Sequence, residues 1–252
     1  MTLFMIGLGL SDEKDISIKG KEAIERCKYI FLEDYTSQLD ISKDILKKYY
    51  NKEIISADRN LVEKNSDNIL NKAKENNVAF LVVGDVFSAT THTDLFLRAK
   101  EKNIEIKIIH NTSILTAVGQ VGLELYKYGK TTSMPFFEKS FEPETPYKVI
   151  KSNLEHGLHT LILLDIKKKE NRFMTINIAL EQFKQIEKKR KERIITKDLR
   201  VVGCARIGNK NSVIKYGKVK DLINFNFGEP LHCLIIPGKL HFMEEEMLKL
   251  WS

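Results

Sequence analysis

Short apolar runs alternate with amphipathic stretches through the first hundred residues, and this alternation restricts the fold more than any other feature. Leu3 to Ile6, Tyr29 to Leu32, Val78 to Val83 and Glu105 to Ile109 have the length and composition of strands. Between them, Ile18 to Cys27, Asn60 to Asn76 and Asp94 to Lys102 carry apolar residues at helical spacing. Strand and helix units joined by short connections predict a mainly parallel sheet with helices on its faces, an α/β fold. Ligands of such sheets bind beyond the carboxyl ends of the strands, so the loops that follow strands are where chemistry is sought. The turn Asn111-Thr112-Ser113 offers a helix N-cap and a boundary, which predicts an N-terminal α/β domain over 1–112 and a C-terminal α/β domain over 113–252.

The second half is less regular. Strands are expected at His159 to Leu164, Arg200 to Ala205, Ser212 to Tyr216 and Leu231 to Ile236, around a long helix from Thr175 to about Lys191. Leu240 to Leu250 reads as a final helix and Pro135 to Pro146 as a surface loop. A chain of 252 residues, 42% hydrophobic and 30% charged, can bury one or two cores, which excludes collagen-like and wholly disordered readings. Three cysteines without a C-x-x-C spacing argue against a disulfide framework or a four-thiolate zinc site and suit a reducing, cytoplasmic setting. Leu3 to Leu10 has no preceding basic residue and runs into Asp12 and Glu13, so it is read as neither a signal peptide nor a membrane anchor.

Three loops after strands carry the chemical interest. Gly7-Leu8-Gly9-Leu10, with Glu33 ending the next strand, imitates a dinucleotide-binding turn, but the third glycine of that fingerprint falls at Asp12, whose carboxylate would face a pyrophosphate. Gly84-Asp85-Val86-Phe87-Ser88 continues into a hydroxyl-rich stretch before a helix. Asn111-Thr112-Ser113-Ile114 opens a helix containing Gly119 and Gly122, which allow close packing. No Lys or Arg occurs from Met1 to Glu13, from Glu75 to Leu97 or from Asn111 to Tyr126, although the chain carries 41 of them. Phosphate ligands are therefore disfavoured. A ligand with cationic groups fits better, and S-adenosylmethionine, with its ammonium and sulfonium, suits Asp85, backbone carbonyls and small side chains.

The six histidines show no metal-ligand spacing, and His156 and His159 are read as surface or capping residues. His232, at the start of an apolar strand, is either a satisfied core histidine or part of a site. The basic run from Lys184 to Lys197 lacks the interleaved aromatics of a nucleic-acid surface and reads as a solvated helix end. The net charge of +7 bears on association, not on chemistry.

Assembled, these strings resemble the diphthine synthases, a branch of the tetrapyrrole-methylase-like, S-adenosylmethionine-dependent methyltransferases. The likeness rests on IGLGLSDEKDISIKG at the start, LEDYTS from Leu32, GDVFSATTHTDLFLRA from Gly84, HNTSI from His110, HTLILLDIK from His159 and PGKLHFMEEEML from Pro237. Val86 departs from the proline common there. The resemblance implies two α/β domains with the cofactor in the cleft between them, usually as a homodimer. It implies cofactor contacts at Leu10, Asp85, Ser88, Ser113, Ile114, Leu164, Ile207 and His232, with no metal and no assigned catalytic base. The implied substrate is translation elongation factor 2, at a histidine already bearing a 3-amino-3-carboxypropyl group; no membrane or nucleic-acid partner is implied. Two other readings compete: a nicotinamide-dependent oxidoreductase, from Gly7, Gly9 and Glu33, and a non-enzymatic RNA- or ribosome-binding module, from the charge.

Overall fold

The computed structural model describes all 252 residues, which divide into two compact units, Met1–Leu115 and Thr116–Ser252. The first unit runs β1 (Thr2–Gly7), α1 (Ile18–Glu25), β2 (Tyr29–Glu33), α2 (Lys43–Tyr50), β3 (Ile54–Ala57), α3 (Asp67–Glu75), β4 (Val78–Val82), α4 (Thr93–Glu101) and β5 (Glu105–Ile109). Its five strands pair in parallel in the order β3-β2-β4-β1-β5. β1 and β4 are buried along their whole length because helices cover both faces of the sheet, and this is why they read as continuous apolar runs. One core layer packs Leu3, Met5, Phe80 and Val82 against Ile69, Leu70 and Leu95, and the other packs Ile6, Leu8 and Leu81 against Ile24 and Leu46.

Two differences from the sequence reading have plain causes. α2 and β3 are additional elements: β3 is a four-residue edge strand with Ile55 and Ser56 turned outward, so its pattern is too short and too polar to stand out. The helix expected over Asn60 to Asn76 is broken. A π-helical turn, Asn60–Lys64, ends at Asn65, and α3 begins after Ser66.

A single helical turn, α5 (Ile114–Ala117), crosses the division and passes into a 3-10 turn, Val118–Val121. Gly122 then takes a left-handed conformation (φ 92°) with no room for a Cβ, which would lie 2.4 Å from Met247. The expected longer helix therefore ends after one turn.

The second unit contains β6 (Thr132–Met134), α6 (Thr145–Glu155), β7 (Thr160–Leu164), the short hairpin β8 (Ile166–Lys167) and β9 (Arg172–Phe173), α7 (Ile176–Arg190), β10 (Arg200–Ala205), β11 (Val213–Lys218), α8 (Val219–Leu222), β12 (His232–Ile236) and α9 (Phe242–Lys249). Its main sheet has the order β11-β10-β12-β7-β6, antiparallel except for the parallel β6 and β7 pair. Its core gathers Tyr147, Ile162, Phe183, Val201, Phe227 and Leu234. The segment read as a surface loop contributes Phe136 to this core, because Gln182 holds it down: Gln182 Oε1 accepts from the Phe137 amide at 3.0 Å and Nε2 donates to the Pro135 carbonyl at 2.9 Å. No helix of the chain is long and apolar enough to cross a membrane.

Candidate functional site

The three loops singled out in the first half leave the carboxyl ends of β1, β4 and β5, which are adjacent in the sheet. They are stitched together by backbone groups. Gly9 and Gly84 exchange hydrogen bonds, Gly9 N to Gly84 O at 3.2 Å and Gly84 N to Gly9 O at 2.7 Å. Asn111 Nδ2 donates to the carbonyls of Gly7 and Asp15, both at 3.0 Å. Gly7 is required by this closeness, since a Cβ there would lie 2.6 Å from Gly84 O and 2.8 Å from Asn111 Cβ.

Asp85 is the electrostatic centre of the cluster. Oδ2 accepts from the Asn111 amide at 3.1 Å and from His110 Nδ1 at 2.9 Å, and Oδ1 accepts from the Phe87 amide at 3.2 Å and the Ser88 hydroxyl at 3.4 Å. Burial disfavours the charged form, but these donors outweigh it and hold the carboxyl below its ordinary range. Asp85 is thus a fixed anion among loops free of Lys and Arg, which suits a cationic ligand group. Ser113 is buried, and its hydroxyl accepts from the Leu115 amide at 3.2 Å. Ile114 begins the turn that follows.

The loop around Leu10 is already occupied by the chain itself. Asp15 Oδ2 accepts from the amides of Leu10 at 3.1 Å and Ser11 at 2.7 Å, so the N–H groups that would cradle a pyrophosphate hold a carboxylate instead. Asp15, which the sequence reading did not single out, and Asn111, named there only as the start of the third loop, organise the site. The signal for Asp15 was an aspartate five residues beyond Leu10 and close to the glycines.

Leu164, Ile207 and His232 belong to the second unit and share one end of its main sheet. β7 ends at Leu164, β10 ends at Ala205 opposite His232, and β12 starts at His232 beside the end of β7. Ile207 follows Arg206, whose amide donates to the Leu231 carbonyl at 2.8 Å. The His232 ring is fully engaged: Nε2 donates to the carbonyls of Gly228 and Glu229 at 3.2 and 3.0 Å, and Nδ1 accepts from the Ile176 amide at 3.4 Å. Burial pushes its pKa down and keeps the ring neutral.

His159 is neither surface nor capping. It is fully buried, with Nδ1 accepting from the Gly238 amide at 2.9 Å and Nε2 donating to Glu244 Oε1 at 2.9 Å. Three of the seven basic residues in the run are paired: Lys184 with Glu181, Lys189 with Glu142 and Arg190 with Glu144.

A parallel sheet covered by helices on both faces, with glycine-bound loops around a fixed aspartate, defines a class of cofactor-binding fold, and comparison with known proteins identifies it. Residues 2–223 match the family model of the tetrapyrrole (corrin/porphyrin) methylases. The chain is 49% identical to a diphthine synthase of Methanocaldococcus jannaschii, covering 98% of this chain and 97% of the relative. It is 48% identical to a diphthine methyl ester synthase of Dictyostelium discoideum, over 98% and 96% of the two chains. A crystal structure of a diphthine synthase superposes with a TM-score of 0.92 at 36% identity, covering 100% of this chain and 96% of that one. The chain belongs to the tetrapyrrole methylase family and, within it, to the diphthine synthases; it is an S-adenosylmethionine-dependent methyltransferase.

Proposed function

We propose that this enzyme binds S-adenosylmethionine through Leu10, Asp85, Ser88, Ser113 and Ile114 of the first unit and Leu164, Ile207 and His232 of the second. On this reading it methylates the aminocarboxypropyl-modified histidine of translation elongation factor 2. The observation that carries the cofactor assignment is the ionised Asp85 held by four donors amid loops without a basic residue. It complements an ammonium and repels a phosphate. The nicotinamide reading loses its support because Asp15 fills the loop amides a dinucleotide would need.

When bound, the cofactor supplies an electrophilic methyl carbon that leaves sulfur as a neutral thioether. The chain's part is to orient and to exclude water. Gly9 and Gly84 bring two backbones together, and Ser113 and Leu164 line their loop ends with little exposed polarity. The substrate assignment rests on the full-length likeness to proteins named diphthine synthase and diphthine methyl ester synthase. We further propose a cytoplasmic homodimer. The three cysteines are free and buried, and Tyr126, Phe242, Met243 and Leu250 of the second unit expose apolar surface that a second copy can cover.

Calorimetry with S-adenosylhomocysteine, followed by mass spectrometry of elongation factor 2 incubated with enzyme and S-adenosylmethionine, tests the reading. Saturable binding and methyl gain only on the aminocarboxypropyl form are expected. Equal labelling of modified and unmodified factor overturns the substrate, and absence of binding overturns the site.

A further inference from the structure

Beside the loops assigned to the cofactor, at the end of β2, three buried polar atoms have no partner: Glu33 Oε2, His92 Nε2 and the Tyr35 hydroxyl. Glu33 is 1% exposed and His92 is 0% exposed. Each has one atom engaged. Glu33 Oε1 accepts from the amides of Tyr35 at 2.9 Å and Thr36 at 2.6 Å, which closes the turn after β2. His92 Nδ1 lies 2.9 Å from the Val86 carbonyl, directly after Asp85. A carbonyl only accepts, so Nδ1 carries the hydrogen and Nε2 of the neutral ring presents a lone pair.

A purely structural role accounts for half of each side chain. A staple for the 84–92 loop needs only Nδ1, and a cap for the 34–36 turn needs only Oε1. The remaining atoms are acceptors, and native structures seldom bury acceptors unpaired. They belong to one cluster: the Tyr35 ring meets His92 edge-on at 6.5 Å between centroids, and the Glu33 charge acts on both. Around them, Phe80 packs on the other side of His92 at 5.2 Å, the Arg59 guanidinium sits 5.2 Å from the Tyr35 ring centroid, and Glu63 holds the Thr91 hydroxyl at 3.2 Å while its carbonyl accepts from Arg98.

An amine attacks a methyl carbon only after losing a proton, once for each methyl added, whereas a carboxylate needs no base. We propose that His92, backed by Glu33 and reached through Tyr35, is the proton acceptor for the amine methylated in the reaction proposed above, on which this inference rests. The ammonium N–H bond breaks with its electron pair left on nitrogen and its proton goes to the Tyr35 hydroxyl, which passes its own proton on to His92 Nε2 across a hydrogen bond that this structure leaves unmade, neither atom having a partner in it. The nitrogen then bonds to the methyl carbon as the carbon–sulfur bond breaks toward sulfur, and His92 returns its proton to solvent before the next transfer. Burial pushes the His92 pKa down and keeps the ring neutral, while the Val86 carbonyl, Glu33 and Glu63 pull the other way and offset part of what burial costs the protonated ring.

The test uses the whole enzyme, modified elongation factor 2 and saturating S-adenosylmethionine in single-turnover methylation across pH. Glu33→Gln keeps the shape and the Oε1 acceptor but removes the charge that raises the His92 pKa. It is expected to slow N-methylation at least tenfold and to move the acid limb of the rate profile to lower pH. Tyr35→Phe, which keeps the packing, is expected to slow transfer similarly. Both are expected to leave S-adenosylhomocysteine affinity within twofold and any alkali-labile methyl ester formed by the wild type undiminished. An unmoved acid limb, or N-methylation and cofactor affinity falling together, overturns the proton-acceptor assignment. A wild type that transfers no methyl to the modified factor overturns the underlying reading and this inference with it.

Discussion

Asp85 Oδ2 accepts the backbone N–H of Asn111 at 3.1 Å, tying the loop after β4 to the loop after β5. The same carboxylate is therefore both a strut and the proposed partner of the cofactor's ammonium. Separating the two roles requires a substitution that preserves shape. Asp85→Asn removes the charge and turns an amide toward N–H donors, so affinity for S-adenosylhomocysteine should fall roughly ten- to a hundredfold, about 1.5–3 kcal/mol. Because the Asp85 pKa is depressed, wild-type affinity should not weaken through this group as pH falls from 8 to 5. Calorimetry at several pH values checks both, and unchanged affinity in the variant removes Asp85 from the ligand.

Gly7 tests whether the loops must touch. A Cβ at that position meets the Gly84 carbonyl at 2.6 Å, and backbone cannot swing aside as a side chain can. Gly7→Ala should part the loops of β1 and β4, lower thermal stability by about 1–3 kcal/mol and weaken cofactor binding beyond tenfold. Thermal unfolding with and without S-adenosylhomocysteine reads the two effects, and a variant with native affinity would show that the contact is dispensable.

The buried pair His159 and Glu244 is expected to contribute to acid stability. Burial opposes the Glu244 charge. Even so, Lys127, the amides of His241 and Glu124, and His159 bring its pKa from the usual 4.5 down to about 2. Burial also lowers the pKa of His159, which stays neutral because the Gly238 amide occupies its Nδ1 lone pair. Both groups bind fewer protons folded than unfolded. The Glu244 contribution, on the order of 3 kcal/mol, is therefore present above the unfolded value and is lost as pH falls from about 4.5 toward 2. Glu244→Gln should flatten that part of the stability curve, measured by urea unfolding at stepped pH. A variant curve parallel to the wild type would show that Glu244 does not carry the acid limb.

How much of this was legible in the sequence depends on the range of the interaction. β1 and β4 were readable because a strand covered on both faces is a continuous apolar run, and β5, a partly exposed edge strand, from its three isoleucines; Asp85 and Ser113 were readable because they lie in the loops that leave β4 and β5. Edge strand β3, with two of its four residues turned outward, offered no comparable pattern. His159 and Glu244 lie 85 residues apart, and no local signal joins them. The same holds for Glu33 and His92: one looked like part of a nucleotide fingerprint and the other like a loop residue, and only the sheet order puts the end of β2 beside the loop that follows β4.

The end of α7 bears on docking of the protein substrate. Lys189 and Arg190 are held by Glu142 and Glu144, and Glu187 folds back to accept from the amides of Arg193, Ile194 and Ile195, which leaves Lys188 and Lys191 as exposed charges at a closed helix end. Exposed charges set encounter rate and salt sensitivity more than a chemical step. Lys188→Glu with Lys191→Glu should lower methylation of modified elongation factor 2 at limiting factor by about threefold to tenfold at low salt. The loss should shrink as salt rises past about 0.15 M and the Debye length falls to about 8 Å. Turnover at saturating factor and S-adenosylhomocysteine affinity should stay as in the wild type. Initial rates across a salt series decide it: a deficit independent of salt, or one that persists at saturation, would show that this helix end does not steer the acidic surface of a partner.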